Sequence, residues 1–160
     1  MKLSTKGRYA VMAMSDLAVQ ARLDATRPVS LAEIGAREDI SLSYLEQLFA
    51  RLRRAGLVTS IRGAQGGYYL SAEAVEICIG DIIRAVDEPI EVTRCQLSQG
   101  GCQSQNSRCL THDLWAGLGR HIYGYLDSVT LEDVVSRNTF SASEIARTPN
   151  SSLRPLGEGA

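Results

Sequence analysis

Apolar residues at Tyr9, Ala10, Ala13, Met14, Leu17 and Ala18 recur at helical spacing and predict a helix packed on one side from Thr5 to about Ala21. The stretch from Asp24 to Pro28 breaks it. Ser30 and Glu33 then form the pattern S-x-x-E, in which each residue can satisfy the other's backbone N–H, and predict a second, short helix from Leu31 to Arg37. Glu38, Asp39 and Ile40 make a tight connection. Ser43 and Glu46 repeat the S-x-x-E pattern, and Leu45, Leu48, Phe49 and Leu52 follow at i, i+3, i+4 and i+7, so a third helix is expected from Ser43 to Ala55 with Gly56 as its stop.

After Gly56 the period shortens. Leu57–Ile61 and Tyr68–Ser71 are short runs rich in β-branched and aromatic residues, separated by the turn-forming stretch 62–67, and predict a β-hairpin with Arg62 at its tip. Its glycines are no phosphate-binding loop, because no Lys-Ser/Thr follows and no helix opens after them. A further helix takes in Asp81 to Val86, buries Ile79, Ile82, Ile83 and Val86, and closes at Asp87-Glu88-Pro89; Cys78 beside it is expected to be a buried core thiol. From Asp113 to Ser128 a long helix carries Trp115, Leu118, Ile122, Tyr125 and Val129 at alternating spacings of 3 and 4, the seam of a short coiled coil or a face packed on its own domain. Thr130 and Asp133 can cap a last short helix through Val135.

Two short helices joined by a tight turn and followed by a hairpin are the order of a winged helix-turn-helix, whose second helix enters the major groove. The expected fold is therefore mainly α with a small β-hairpin: a DNA-binding unit over 1–75, a connecting helix over 76–94, a ligand-bearing loop over 95–112, a dimerisation helix with a short C-terminal helix over 113–137, and a disordered tail over 138–160. Ser41, Ser43, Tyr44 and Gln47 stand at or near the start of the reading helix, where hydroxyl and amide groups meet base edges and phosphates. Arg51 lies further along the same helix, and Arg62 at the wing tip suits a minor groove. The long helix supplies the contact a symmetric reader of DNA needs.

Charge sharpens this picture. Residues 1–70 carry ten Lys and Arg against six Asp and Glu, a balance of +4, while residues 71–160 carry seven against twelve, a balance of −5. A basic first half points to a polyanionic partner. The apolar run from Tyr9 to Met14 ends at Ser15 and Asp16, too short for a signal core or a membrane span, so a cytoplasmic protein with no membrane partner is expected. No nucleophile-base constellation or nicotinamide or flavin site is visible, which argues against an enzyme.

The segment 95–112 follows other rules. It places Cys95, Cys102, Cys109 and His112 within eighteen residues, separated mostly by Gln, Ser and Gly, with little apolar surface and no period that would fold it alone. Thiolate and imidazole are ligands for zinc or an iron-sulfur cluster, so a bound metal centre is the expected source of order. In a reducing compartment structural disulfides are disfavoured.

The ordered set KGRYAV, ISLSYLEQLF, LRRAGLV, RGAQGGY, GDIIRAVDE and C-L-T-H resembles the iron-sulfur cluster regulators of the Rrf-two family of transcription factors over about residues 1–137. The resemblance implies a homodimer that binds operator DNA, holds one 2Fe-2S cluster per subunit on Cys95, Cys102, Cys109 and His112, and acts mainly as a repressor of cluster-assembly genes, with scaffold proteins of that assembly as cluster donors. It also implies that Arg62 enters the minor groove, that Ser41, Ser43, Tyr44 and Gln47 contact the site, and that Glu46 disfavours one class of site in the cluster-free protein. One departure is the C-x6-C-x6-C spacing, each gap one residue longer than the family pattern. Alternatives are a nitric-oxide or redox sensor of the same family, or a regulator with a structural Cys3His zinc site.

Overall fold

The structure, a computed structural model, describes residues 5–63, 65–86 and 109–139. The elements run in the order α1 (Thr5–Leu23), α2 (Leu31–Glu38), α3 (Leu42–Arg54), β1 (Val58–Ile61), β2 (Gly67–Leu70), α4 (Ile79–Ala85), α5 (His112–Ser128) and α6 (Leu131–Val135). Among the described residues this is the mainly α architecture with one two-stranded hairpin that the apolar pattern predicts. Cys95, Cys102 and the expected tail from Phe140 onward lie outside the described residues, as does the Asp87-Glu88-Pro89 stop.

α1 is the central post. Its buried side carries Gly7, Ala10, Ala13, Met14, Leu17 and Ala18, and small side chains allow close approach of the helices and the strand around it. Phe49, Leu45, Leu48 and Leu52 of α3 meet Ile34 of α2, Val58 of β1 and Ile82, Ile83 and Val86 in one core, which also takes in Val129 and Leu131. The reading unit and the C-terminal helices thus share a single core. Among the described residues one charged residue is buried with it: Asp16 on α1 receives two hydrogen bonds from Arg37 of α2, Nε to Oδ1 and Nη2 to Oδ2, each 2.8 Å. This bidentate pair fixes α2 against α1 in a geometry a lysine could not reproduce.

The caps explain where the helices begin and end. Ser30 and Glu33 form the expected box, with Glu33 N donating to Ser30 Oγ at 3.3 Å and Ser30 N donating to Glu33 Oε2 at 3.0 Å. Thr130 and Asp133 do the same for α6. The expected box at Ser43 and Glu46 does not form. α3 starts one residue earlier, at Leu42, with Ser41 as N-cap and no side-chain cap bond. The cause lies in the preceding turn, where Asp39 takes a left-handed conformation (φ 53°), Ile40 N donates to Gly35 O, and Ile40 is buried, so Ser41 O accepts the first helical bonds from Tyr44 and Leu45.

α3 ends in paired bonds from Gly56 N to Arg53 O and Leu57 N to Leu52 O, both 3.0 Å, around Gly56 at φ 77°, a conformation in which glycine alone costs little. Gly56 thus sits two residues past the helix, just beyond the C-cap Ala55, and turns the chain into β1. The hairpin pairs Val58 with Leu70 and Ile61 with Gly67, and Tyr68 also exchanges two backbone bonds with Val29. A Cβ on Gly67 would lie 2.6 Å from the Val29 carbonyl oxygen, so this third strand-like contact requires glycine.

Two further expectations change. Cys78 is half-buried at the N-cap of α4 and not enclosed in the core. Val129, placed in the dimer seam by its spacing, is 3% exposed and belongs to the chain's own core. It is the C-cap of α5, with extended backbone (φ −98°, ψ 124°), so the helical spacing that assigned it to the outer face no longer applies.

Candidate nucleic-acid interface and metal-ligand turn

The buried stripe of α3 leaves the opposite face outward. Ser43, Glu46 and Gln47 are exposed there, with Ser41 and Leu42 at the helix start and Arg54 a further two turns along. Tyr44 stands on the flank, half-buried, its ring edge-on to Tyr9 of α1 at 5.8 Å between centroids and 89° between planes. The opposite flank carries Arg53, whose Nη1 donates to Ser60 Oγ of β1 at 3.2 Å. Beneath, Phe49 meets the ring of Tyr68 at 4.8 Å. These two contacts join the reading helix to the hairpin, and Arg62 is exposed just beyond β1.

Arg51 departs from its expected place. It lies on the Tyr44 flank, half-buried, and its Nη1 donates to the backbone carbonyl of Val86 at 3.0 Å, at the C-terminal end of α4. Two basic residues that the sequence pattern does not single out for DNA come near the interface instead. Both stand in the first turn of α1: Arg8 lies over the Tyr9 ring at 5.4 Å, and Tyr9 abuts Tyr44, so Arg8 is linked to the start of α3, while Lys6 is exposed two residues before it. The pair K-G-R just ahead of an aromatic residue was the available signal. It became meaningful only once α1 was placed beside the start of α3.

The described part of the candidate ligand set is one turn. Cys109 precedes α5 and His112 opens it, with His112 N donating to Cys109 O at 3.0 Å and Cys109 Sγ 3.7 Å from Thr111 Oγ1. Both are half-buried. A thiol and an imidazole three residues apart across a closed turn fit the donor set of a zinc or iron-sulfur site, beside the positive end of a 17-residue helix. Among the described residues no group of three or more His, Cys, Asp or Glu is gathered in this way, and Cys95 and Cys102 lie outside them.

α5 has two faces. Ile122, Tyr123 and Leu126 pack against the core, and Trp115 is half-buried. Leu114, Leu118 and Tyr125 form an outward apolar stripe continued by fully exposed Leu110. The expected seam is therefore split: Leu118 and Tyr125 face outward, Ile122 packs on the chain's own core, and Leu114 joins the outer stripe. His121 is exposed on the same face. Among the described residues no helix is long and apolar enough to cross a membrane.

Residues 3–137 match the Rrf2 family, described as iron-dependent transcriptional regulators. The chain is 52% identical over 136 residues to the HTH-type transcriptional regulator IscR of Klebsiella pneumoniae (strain 342), covering 85% of this chain and 80% of that one. It is 48% identical over 159 residues to IscR of Serratia proteamaculans (strain 568), covering 99% and 93%. Among solved structures, IscR of T. potens superposes with a TM-score of 0.66 at 39% identity, over 91% of this chain and 96% of that one. CymR, the global cysteine regulator of B. subtilis, gives a TM-score of 0.69 at 39% identity over 86% and 98%. The Klebsiella and Serratia relatives are named as transcriptional regulators and not as enzymes, and the two solved structures share the fold described above. The chain belongs to the Rrf2 family of transcriptional regulators.

Proposed function

We propose that this regulator binds operator DNA as a homodimer and responds to iron-sulfur cluster supply, acting mainly as a repressor of cluster-assembly genes in the cytoplasm. The observation that carries the reading is the joint occurrence of an outward polar face on α3, an exposed arginine on the adjoining wing, and a Cys109–His112 turn opening the helix that bears the outer apolar stripe. Ser43 and Gln47 present a hydroxyl and an amide to base edges from the middle of the face, with Ser41 and Tyr44 toward phosphates at its start. Arg62 reaches the neighbouring minor groove, and Glu46 on the same face repels phosphate and tunes which sites are accepted. Leu114, Leu118 and Tyr125 on two copies of α5 bury one another across a two-fold axis, which spaces the two reading helices for half-sites about one turn of DNA apart, roughly 34 Å.

Cys109 and His112, with Cys95 and Cys102, form the ligand set for one 2Fe-2S cluster per subunit, delivered by assembly scaffold proteins. When bound, such a cluster supplies a redox-active and degradable group whose presence reports iron and sulfide supply. Cys109 and His112 join the segment that leaves α4 to the helix that forms the dimer, so they sit between the reader and its partner.

The test is anaerobic purification of wild type and His112→Ala, with visible absorption, iron, sulfide and zinc analysis, and operator binding with and without the cluster. A red-brown protein with about two irons and two sulfides per subunit and a shifted spectrum in the variant is expected. A colourless protein with one zinc per subunit overturns the cluster reading in favour of a structural zinc site. Sedimentation of wild type and Leu118→Glu tests the dimer: a monomer in the wild type removes it.

A further inference from the structure

α4 and α5 form one block. Ile79 N donates to Val129 O at 2.9 Å and Leu131 N to Ile77 O at 2.8 Å, stitching the start of α4 to the end of α5. Arg84 on α4 donates from Nη2 to Asp127 Oδ2 at 2.6 Å and from Nη1 to Asp81 Oδ1 at 3.0 Å, and lies 5.2 Å from the centroid of the Tyr123 ring on α5. The Asp127 carboxylate holds the Arg84 guanidinium more firmly protonated than usual, as a clamp requires. The segment carrying Cys95 and Cys102 leaves this block at Val86 and returns to it at Cys109. Val86 is fully buried, and its carbonyl ends α4. That carbonyl accepts from Arg51 Nη1 at 3.0 Å, a bond from the third turn of the reading helix to the root of the ligand-bearing segment, across 35 residues of sequence.

We propose that Arg51 is a positioning residue that couples the end of α4 at Val86, where the chain leads on toward the candidate ligands, to the orientation of α3, so that operator affinity depends on cluster occupancy through the Arg51–Val86 bond. Apolar contacts of Leu48 and Leu52 with the α4 residues can slide by fractions of an ångström at little cost, whereas a directional hydrogen bond loses strength steeply with misalignment. A charged donor on the last carbonyl of α4 is also favoured by the helix dipole, so it stays engaged as the root moves. The bond enters α3 on the Tyr44 flank, beside the outward face, so a shift at Val86 tilts Ser43 and Gln47 relative to the wing. This inference rests on the cluster-responsive reading above.

The test compares wild type, Arg51→Met and Arg51→Lys. Methionine keeps much of the aliphatic stem and removes the donors; lysine restores one donor and the charge. Operator affinity is measured by fluorescence anisotropy at several salt concentrations, for anaerobically isolated protein and for protein stripped of metal by chelation, and hydrogen exchange of the α3 amides is followed in the metal-free protein. If Arg51 couples, wild type shows a several-fold difference between the two forms, Arg51→Met brings that ratio to within about twofold, and Arg51→Lys restores part of it, with the salt slope unchanged. Metal-free Arg51→Met also exchanges α3 amides faster than metal-free wild type. A salt slope lower by about one with the ratio intact makes Arg51 a phosphate contact and overturns the proposal. An intact ratio with only a lower melting temperature makes it a structural residue and overturns it equally. A wild-type ratio of one on every operator removes the cluster-responsive reading itself, and the coupling with it.

Discussion

Between Thr5 and Leu70 each helix buries an apolar stripe in one shared core, whereas between Val86 and His112 the sequence offers three thiols, an imidazole and no apolar period. The first region can fold by burying Met14, Leu17, Leu45, Phe49 and Leu52 together. The second carries no such stripe in its sequence, and the proposed cluster is the group its thiols and imidazole suit. The difference teaches that the stability of the helix-and-hairpin unit should not depend on the cysteines of the second region. Removing pieces of each region tests that contrast.

The largest effect is expected at Phe49, which is fully buried and joins the reading helix to the wing through Tyr68. Phe49→Ala should cost about 3–5 kcal/mol of stability and lower operator affinity in both forms. Replacing Cys95, Cys102 and Cys109 together by Ser should leave the melting temperature of the metal-free protein nearly unchanged. Thermal unfolding by circular dichroism checks both, and a large loss in the cysteine variant would mean that the segment orders the reader after all.

The Asp16–Arg37 pair should show an asymmetry. The Asp16 side chain is 6% exposed and that of Arg37 35% exposed. Arg37→Met leaves a carboxylate buried without its partner and should cost roughly 2–3 kcal/mol, discounted from a fully buried pair because one side reaches water. Asp16→Asn keeps one acceptor and lets the guanidinium turn outward, and should cost about 1 kcal/mol. Denaturant midpoints at equal slope decide it, and equal costs would show that the pair is no more than a surface contact.

At the interface, Arg62→Ala should weaken specific operator binding by about 1–3 kcal/mol with little change in stability. Leu118→Glu should weaken self-association at least tenfold, or about 1.4 kcal/mol, while Val129→Ala should lower stability and leave association nearly intact. The opposite ranking in sedimentation would restore the seam that spacing alone suggests.

How much of this was legible follows from the range of the interactions. Ser30 with Glu33, Thr130 with Asp133, and the stripe Ile79, Ile82, Ile83 and Val86 are local patterns with one sensible outcome, and they form as the residues suggest. The start of α3 was ambiguous because Ser41 and Ser43 are both good caps, and the choice fell to the left-handed turn at Asp39. The outward face of α3 was readable from Leu45, Leu48, Phe49 and Leu52, since burying them exposes Ser43, Glu46 and Gln47. Arg51 was not readable, because its partner is a carbonyl 35 residues away on an element whose placement depends on the whole core. Val129 misled because a heptad count runs on past the point where the backbone stops being helical.

The smallest expected effect concerns acid, and it separates local caps from the rest of the fold. Hydrogen bonds from the Ser30 backbone and hydroxyl hold Glu33 below its ordinary range, and Thr130 does the same to Asp133. A carboxylate whose folded pKa lies below its unfolded one stabilises the fold fully above the unfolded value and loses that contribution as pH falls through the folded one. Stability should therefore be flat near neutral pH and decline as pH falls through and below the ordinary carboxylate range. Glu33→Gln cannot ionise, so its stability should be lower near neutral pH and its decline in acid shallower, the two curves converging at low pH. Denaturation midpoints measured across the acid range check this. Parallel curves would show that the Glu33 charge adds nothing to the α2 cap, and that the neutral hydrogen bonds of the box alone begin the helix that carries Arg37.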